Sequence, residues 1–161
     1  MVNSKRLGAV GALLDEYEKS IAELSTVVKN VPDELLPIII DTKTADENCK
    51  SIQAILSHVV NSGYGYACNI NNVKEIKIER PAKLFYLTTT EYLKALMDMF
   101  LFTETVFKSI TDIKIEELNN ELKIKTSWGQ LFDIEQLMEH AIVHILRHRR
   151  QLEKILLQVH K

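Results

Sequence analysis

Apolar residues recur along this chain at three- and four-residue steps, the spacing that gathers them on one face of an α-helix. Leu7, Val10, Leu13, Leu14, Tyr17, Ile21, Leu24 and Val28 form the first such stripe, which stops near Asn30. Pro32 suits the first turn of a short helix, 32–36, and Pro37 ends that turn. A second stripe, Ile52, Ile55, Leu56, Val59, Gly63, Tyr66 and Ala67, runs to about residue 71, with Thr44 and Glu47 as a capping-box pattern ahead of it. Gly63 and Gly65 either weaken its last turns or let a ligand or neighbouring helix come close. Thr88 and Glu91 make another capping-box pattern before the third stripe, Tyr92, Leu96, Met99, Phe100, Thr103, Val106, Phe107 and Ile110. The fourth stripe is Ile134, Leu137, Ala141, Ile145, Leu152, Ile155 and Val159. Its helix is expected to start between Ser127 and Asp133 and to run nearly to the C-terminus.

Two connectors separate the later stripes. In 72–88, Val73, Ile76 and Ile78 alternate loosely with charges until Pro81, which reads as extended coil or a short edge strand. In 111–127, Leu122 and Ile124 alternate with lysines. Four helices of this length, joined by connectors longer than tight turns, imply an all-α four-helix bundle whose topology the periodicity leaves open. The chain of 161 residues is one domain's worth, and the whole of 1–161 is read as one domain.

Composition excludes more than it proposes. No apolar run reaches the roughly 18–20 residues of a membrane span, and the N-terminal stretch does not read as a signal peptide. The expected location is therefore cytoplasmic. A net charge of -2 gives no basic footprint for nucleic acid. Two cysteines, Cys49 and Cys68, lack disulfide-framework or metal-site spacing and read as buried structural residues.

The histidines are unevenly placed: His140, His144, His148 and His160 lie near the C-terminus, with His58 alone elsewhere. His144 and His148 are four residues apart and project from one face on successive turns. At about 100° per residue both fall within roughly 40° of the centre of the fourth stripe, so both point at the bundle interior. Buried imidazoles need polar partners, and two at this spacing can bind one ion. His140 sits at the stripe's edge, and His160 near the frayed end reads as surface. A divalent ion wants a third protein ligand. His58, Glu135, Glu139, Asp98 and Glu104 are all open for that role. Arg147, Arg149 and Arg150 either complement the helix dipole or capture an anion beside the ion. Trp128 and Gly129 read as a packing anchor and turn.

The segment Ser51-Ile52-Gln53-Ala54-Ile55-Leu56-Ser57-His58-Val59-Val60 resembles the second-helix motif of the DinB/YfiT-like family. The segment His140-Ala141-Ile142-Val143-His144-Ile145-Leu146-Arg147-His148-Arg149-Arg150-Gln151 resembles its last-helix motif, a histidine, three residues, then histidine-arginine-any-glutamine. It departs from the common pattern at Arg149-Arg150, where an arginine-glycine pair is frequent, and Arg150 is expected to crowd that helix face. The resemblance covers nearly the whole chain. It implies an up-down-down-up bundle and a divalent metal, commonly zinc or nickel, on His58, His144 and His148. It also implies a homodimer acting on a small molecule, since relatives include bacillithiol S-transferases and mycothiol-dependent maleylpyruvate isomerases.

The expected function is a metal-dependent thiol (S-)transferase or hydrolase, with a low-molecular-weight thiol as cofactor. His140, Glu139 and Gln151 would support the ligands from behind. The alternative is a non-catalytic, stress- or damage-induced bundle that binds a metal or small molecule.

Overall fold

The computed structural model describes residues 5–73 and 76–159. Four helices carry the fold: α1 (Gly8–Val28), α2 (Ile52–Asn71), α3 (Thr89–Phe107) and α4 (Ile134–Val159). Single 3-10 turns at Asp33–Leu35, Glu47–Cys49 and Asp112–Lys114 punctuate the connectors. The strands β1 (Ile124–Lys125) and β2 (Leu131–Phe132) form a small antiparallel hairpin ahead of α4.

The stripes become the core. Every position of the second and third is buried, as are Leu14, Tyr17, Ile21, Leu24 and Val28 of the first. Val10 and Leu13 are half-buried, and Leu7, which precedes α1 in extended conformation, is 94% exposed. Val159, at the end of α4, is exposed too.

Side-chain pairings fix the helix directions. Arg6, just before α1, pairs with Glu104 near the end of α3, so these two helices are antiparallel. Ser57 and Tyr92, each one turn into its helix, bond at 2.6 Å, and Tyr64 meets Phe102 further along, so α2 and α3 run the same way. Arg149 late in α4 pairs with Glu23 late in α1, which makes those two parallel. His58 faces His148 while Tyr66 faces His140, so α2 opposes α4. The result is the up-down-down-up bundle. Gly63 lets α2 press on α3: a Cβ there would stand 2.0 Å from Met99 Sδ.

Two local expectations need correction. Thr44 and Glu47 do not cap α2. Glu47 opens its own 3-10 turn under Asp46, and Ser51 caps α2 by accepting from the Ala54 amide at 3.0 Å. One hydroxyl suffices as a cap without an acid three residues on, so the acid pointed to the wrong turn. The helix α4 begins at Ile134, just beyond the expected window. Asp133 accepts from the Gln136 amide at 2.8 Å, and its own amide donates to Gln136 Oε1 at 3.0 Å, a reciprocal cap. The second connector, 111–127, supplies only the first strand of the hairpin; the turn, with Gly129 at φ +91°, and the second strand lie beyond it. The first connector stays extended without a strand among the described residues. Side chains hold it instead: Asn72 bridges to Ile78 through both its amide atoms, and Gln53 Nε2 donates to the Tyr86 carbonyl at 2.8 Å. The Thr88–Glu91 capping box is present with both of its bonds.

Candidate metal centre

Helices α2 and α4 lie antiparallel, and each turns a histidine-bearing face toward the other. His58, His144 and His148 converge there, with one ligand atom of each within 4.8 Å of the others. His144 Nε2 stands 3.0 Å from His58 Nε2 and 3.2 Å from His148 Nε2. The wheel position of His148 is realised in full burial, at 5% exposure, whereas His58 and His144 are half-buried. His58 lies off its own helix's apolar stripe, which aims it at the groove between α2 and α4.

Proton bookkeeping tests whether these rings suit an ion. His148 Nδ1 donates to Gln151 Oε1 at 2.9 Å, which leaves its Nε2 as a bare lone pair. His144 Nε2 holds at most one hydrogen, so it can satisfy one of its two neighbours. Three neutral rings therefore leave at least one mismatched nitrogen contact in a half-buried place, which is costly. A cation satisfies all three. Two nitrogens sharing a tetrahedral ion at about 2.0–2.1 Å stand roughly 3.3 Å apart, close to the spacings found.

Burial favours the uncharged, ligand-ready form. Desolvation, then repulsion from His148, holds His58 down at about 4. The same causes, with His58 added, hold His144 down at about 3. Burial lowers His148 as well, against the opposing bond to Gln151.

The open side of the cluster faces a cleft of about 460 Å³. One wall is aromatic: Trp128 stacks on His140 with centroids 4.9 Å apart and planes at 23°, and Tyr66 packs edge-on to His140. Arg80, Lys83 and Arg147 also line the cleft, with Asp46 as a carboxylate. The Asp46 carboxyl is held below its ordinary range, first by the Asn48 amide.

The structure sorts the remaining candidates. His140 lines the cleft and is held by aromatic contacts rather than joined to the triad. Gln151 touches His148 directly. Glu139 does not belong to this site. It is exposed on the groove between α1 and α4 with Glu135, because five residues of helix turn it about 140° from His144. Asp98 pairs with Lys94, and Glu104 with Arg6, so neither reaches the cluster. The three arginines of α4 divide: Arg147 lines the cleft, Arg149 pairs with Glu23 and Glu153, and Arg150 is exposed. Trp128 is 45% exposed at the cleft mouth, not a packing anchor. Cys68 is buried as expected, but Cys49 is half-buried on the cleft and donates to Asp46 Oδ2 at 3.6 Å. His160 falls outside the described residues.

Sequence reasoning missed one signal that was readable. His58, Asn61, Ser62, Gly65 and Asn69 recur at helical steps and form a polar stripe along α2 that lines the cleft. Asp46, Lys83 and Arg80 had no such signal, since connectors deliver them. No helix among the described residues is long and apolar enough to cross a membrane.

Comparison with known proteins adds the lineage. Neither the curated proteins nor the solved structures yielded a match. The model of the DinB family matches residues 1–159, nearly the whole chain, and on that match, the bundle and its three converging histidines, the chain belongs to the DinB family.

Proposed function

We propose that this chain is a metal-dependent enzyme acting on a small molecule, a thiol (S-)transferase or related hydrolase. The observation that carries the reading is the open cleft on the free side of a three-histidine cluster. His58, His144 and His148 would hold a divalent ion, zinc or nickel. When bound, such an ion supplies a Lewis acid that lowers the pKa of a thiol or water at the site.

The chain's own groups do the rest. Gln151 fixes the His148 ring in the tautomer that presents Nε2 to the centre. Trp128, His140 and Tyr66 offer flat apolar surface to a substrate and exclude water from that side. Asn61 and Ser62 offer hydrogen-bonding groups one turn along α2. On family grounds we take the protein to assemble as a homodimer, which light scattering tests.

Metal analysis of protein purified without an affinity tag tests the site. The expected result is near one ion per chain, abolished by His144→Ala. Full occupancy in that variant would reject the assignment. Conjugation of an electrophile to glutathione, bacillithiol or mycothiol tests the activity. Metal-loaded protein inert with all three would point to a non-catalytic binding bundle.

A further inference from the structure

A chain of net charge -2 gathers cations at one place. With its histidines neutral, the cleft is lined by three cations, Arg80, Lys83 and Arg147, against one carboxylate, Asp46. That carboxylate is already engaged. Asp46 Oδ1 accepts from the Asn48 amide at 2.9 Å and from Asn48 Nδ2 at 3.0 Å, and Oδ2 accepts from Cys49.

Two arginines outside the cleft are neutralised, while Arg150, also outside it, is exposed with no carboxylate partner among the described residues. Arg6 is held by Asp15, Glu18 and Glu104, and Arg149 by Glu23 and Glu153. Among the described residues, Arg80 and Arg147 have no carboxylate partner, although both line a concave site. Arg80 and Arg147 are both exposed on the cleft side. Arg80 lies across α2 at Gly65, where a Cβ would stand 3.0 Å from its guanidinium Nη1. Lys83 is steadied by donating to Asn48 Oδ1 at 2.6 Å. Arg147 comes from α4, one residue from His148. Cations from two sides thus face one cavity of small-molecule size.

We propose that this cleft binds a small anionic molecule whose carboxylate or phosphate oxygens are held by Arg80, Lys83 and Arg147. The proposal rests on reading the cleft as a small-molecule site and names the class of ligand. Guanidinium groups suit such oxyanions because their planar fork donates two parallel hydrogen bonds. Unpaired cations on a concave surface also raise the local concentration of anions.

The chain's single tryptophan, Trp128, sits on the cleft and reports binding by its fluorescence. Succinate, inorganic phosphate and neutral succinamide are titrated into the full-length protein as purified, at about 0.01 M ionic strength to limit screening. Succinate or phosphate is expected to give a saturable change and succinamide none; the tighter of the two names the anion. Arg80→Gln and Arg147→Gln should each weaken binding about five- to tenfold, with far-ultraviolet circular dichroism unchanged. The proposal is overturned if neither anion binds, if succinamide matches succinate, or if both variants bind like the parent. Metal content measured on the same samples keeps the two readings apart. Metal without an anion response sinks only this proposal. An Arg-dependent anion response in protein that never takes up metal sinks only the metal centre.

Discussion

Mild acid should destabilise this bundle through its buried histidines. In the unfolded chain a histidine takes up its proton near pH 6.5. In the folded chain burial holds His58 at about 4 and His144 at about 3. Between those limits the unfolded state binds more protons, so stability is complete above about 6.5 and falls as the pH falls toward the folded values. At pH 5 each ring contributes a loss of about 2 kcal/mol by that linkage. Trimming for solvent on the open side of the cleft leaves about 3–4 kcal/mol for the pair. That is a large share of the roughly 5–15 kcal/mol that holds a domain together. At about 2–4 °C per kcal/mol, Tm should drop roughly 6–16 °C between pH 7 and pH 5. Glu135, raised by burial and by the neighbouring Glu116, Glu139 and Asp133, works in the opposite sense as it takes up its proton. Asp33 and Asp46 are held below their ordinary range, so their contribution is lost only at lower pH. Thermal melts followed by circular dichroism, in chelator, at half-unit steps from pH 7.5 to 4.5 would show the slope. His144→Ala should flatten it by about half. A Tm that moves less than about 2 °C from pH 7 to 5, or a slope unchanged in His144→Ala, would refute the reasoning.

Gln151→Leu removes the acceptor that sets the His148 tautomer and should weaken metal binding about 10- to 100-fold, read by competition with a chromophoric chelator. Gly63→Ala drives a methyl group into Met99 and Tyr17 and should cost about 1–3 kcal/mol in urea unfolding. Adding Met99→Ala should recover part of that loss by vacating the space. Thr88→Ala removes both the hydroxyl that caps α3 and its bond to Glu91, and should cost about 1 kcal/mol without altering metal content.

Helix identity was legible because burial in a bundle imposes a period. Every residue placed on the second and third stripes is buried, although α2 also buries Ser57, Val60, Cys68 and Ile70, and α3 also buries Ala95. His144 and His148 were legible for the same reason: within one helix, sequence spacing is spatial spacing. The limits follow from the same logic. Leu7 matched the period but lies before α1, since periodicity cannot mark where a helix starts. Glu139 looked adjacent to the site in sequence, yet helix rotation carries it to another groove.

Sequence by itself determined four amphipathic helices, their core faces and a pair of histidines aimed inward, all consequences of local geometry. The family motif singled out His58, but its meeting with that pair is a fact of tertiary structure. It depends on α2 and α4 packing antiparallel, which no local rule dictates. The same holds for the cleft. Asp46, Arg80 and Lys83 arrive on connectors without a period, and Trp128 on a hairpin turn. Only the packed fold decides which of them share a cavity, because long-range contacts, not nearest-neighbour preferences, bring those segments together.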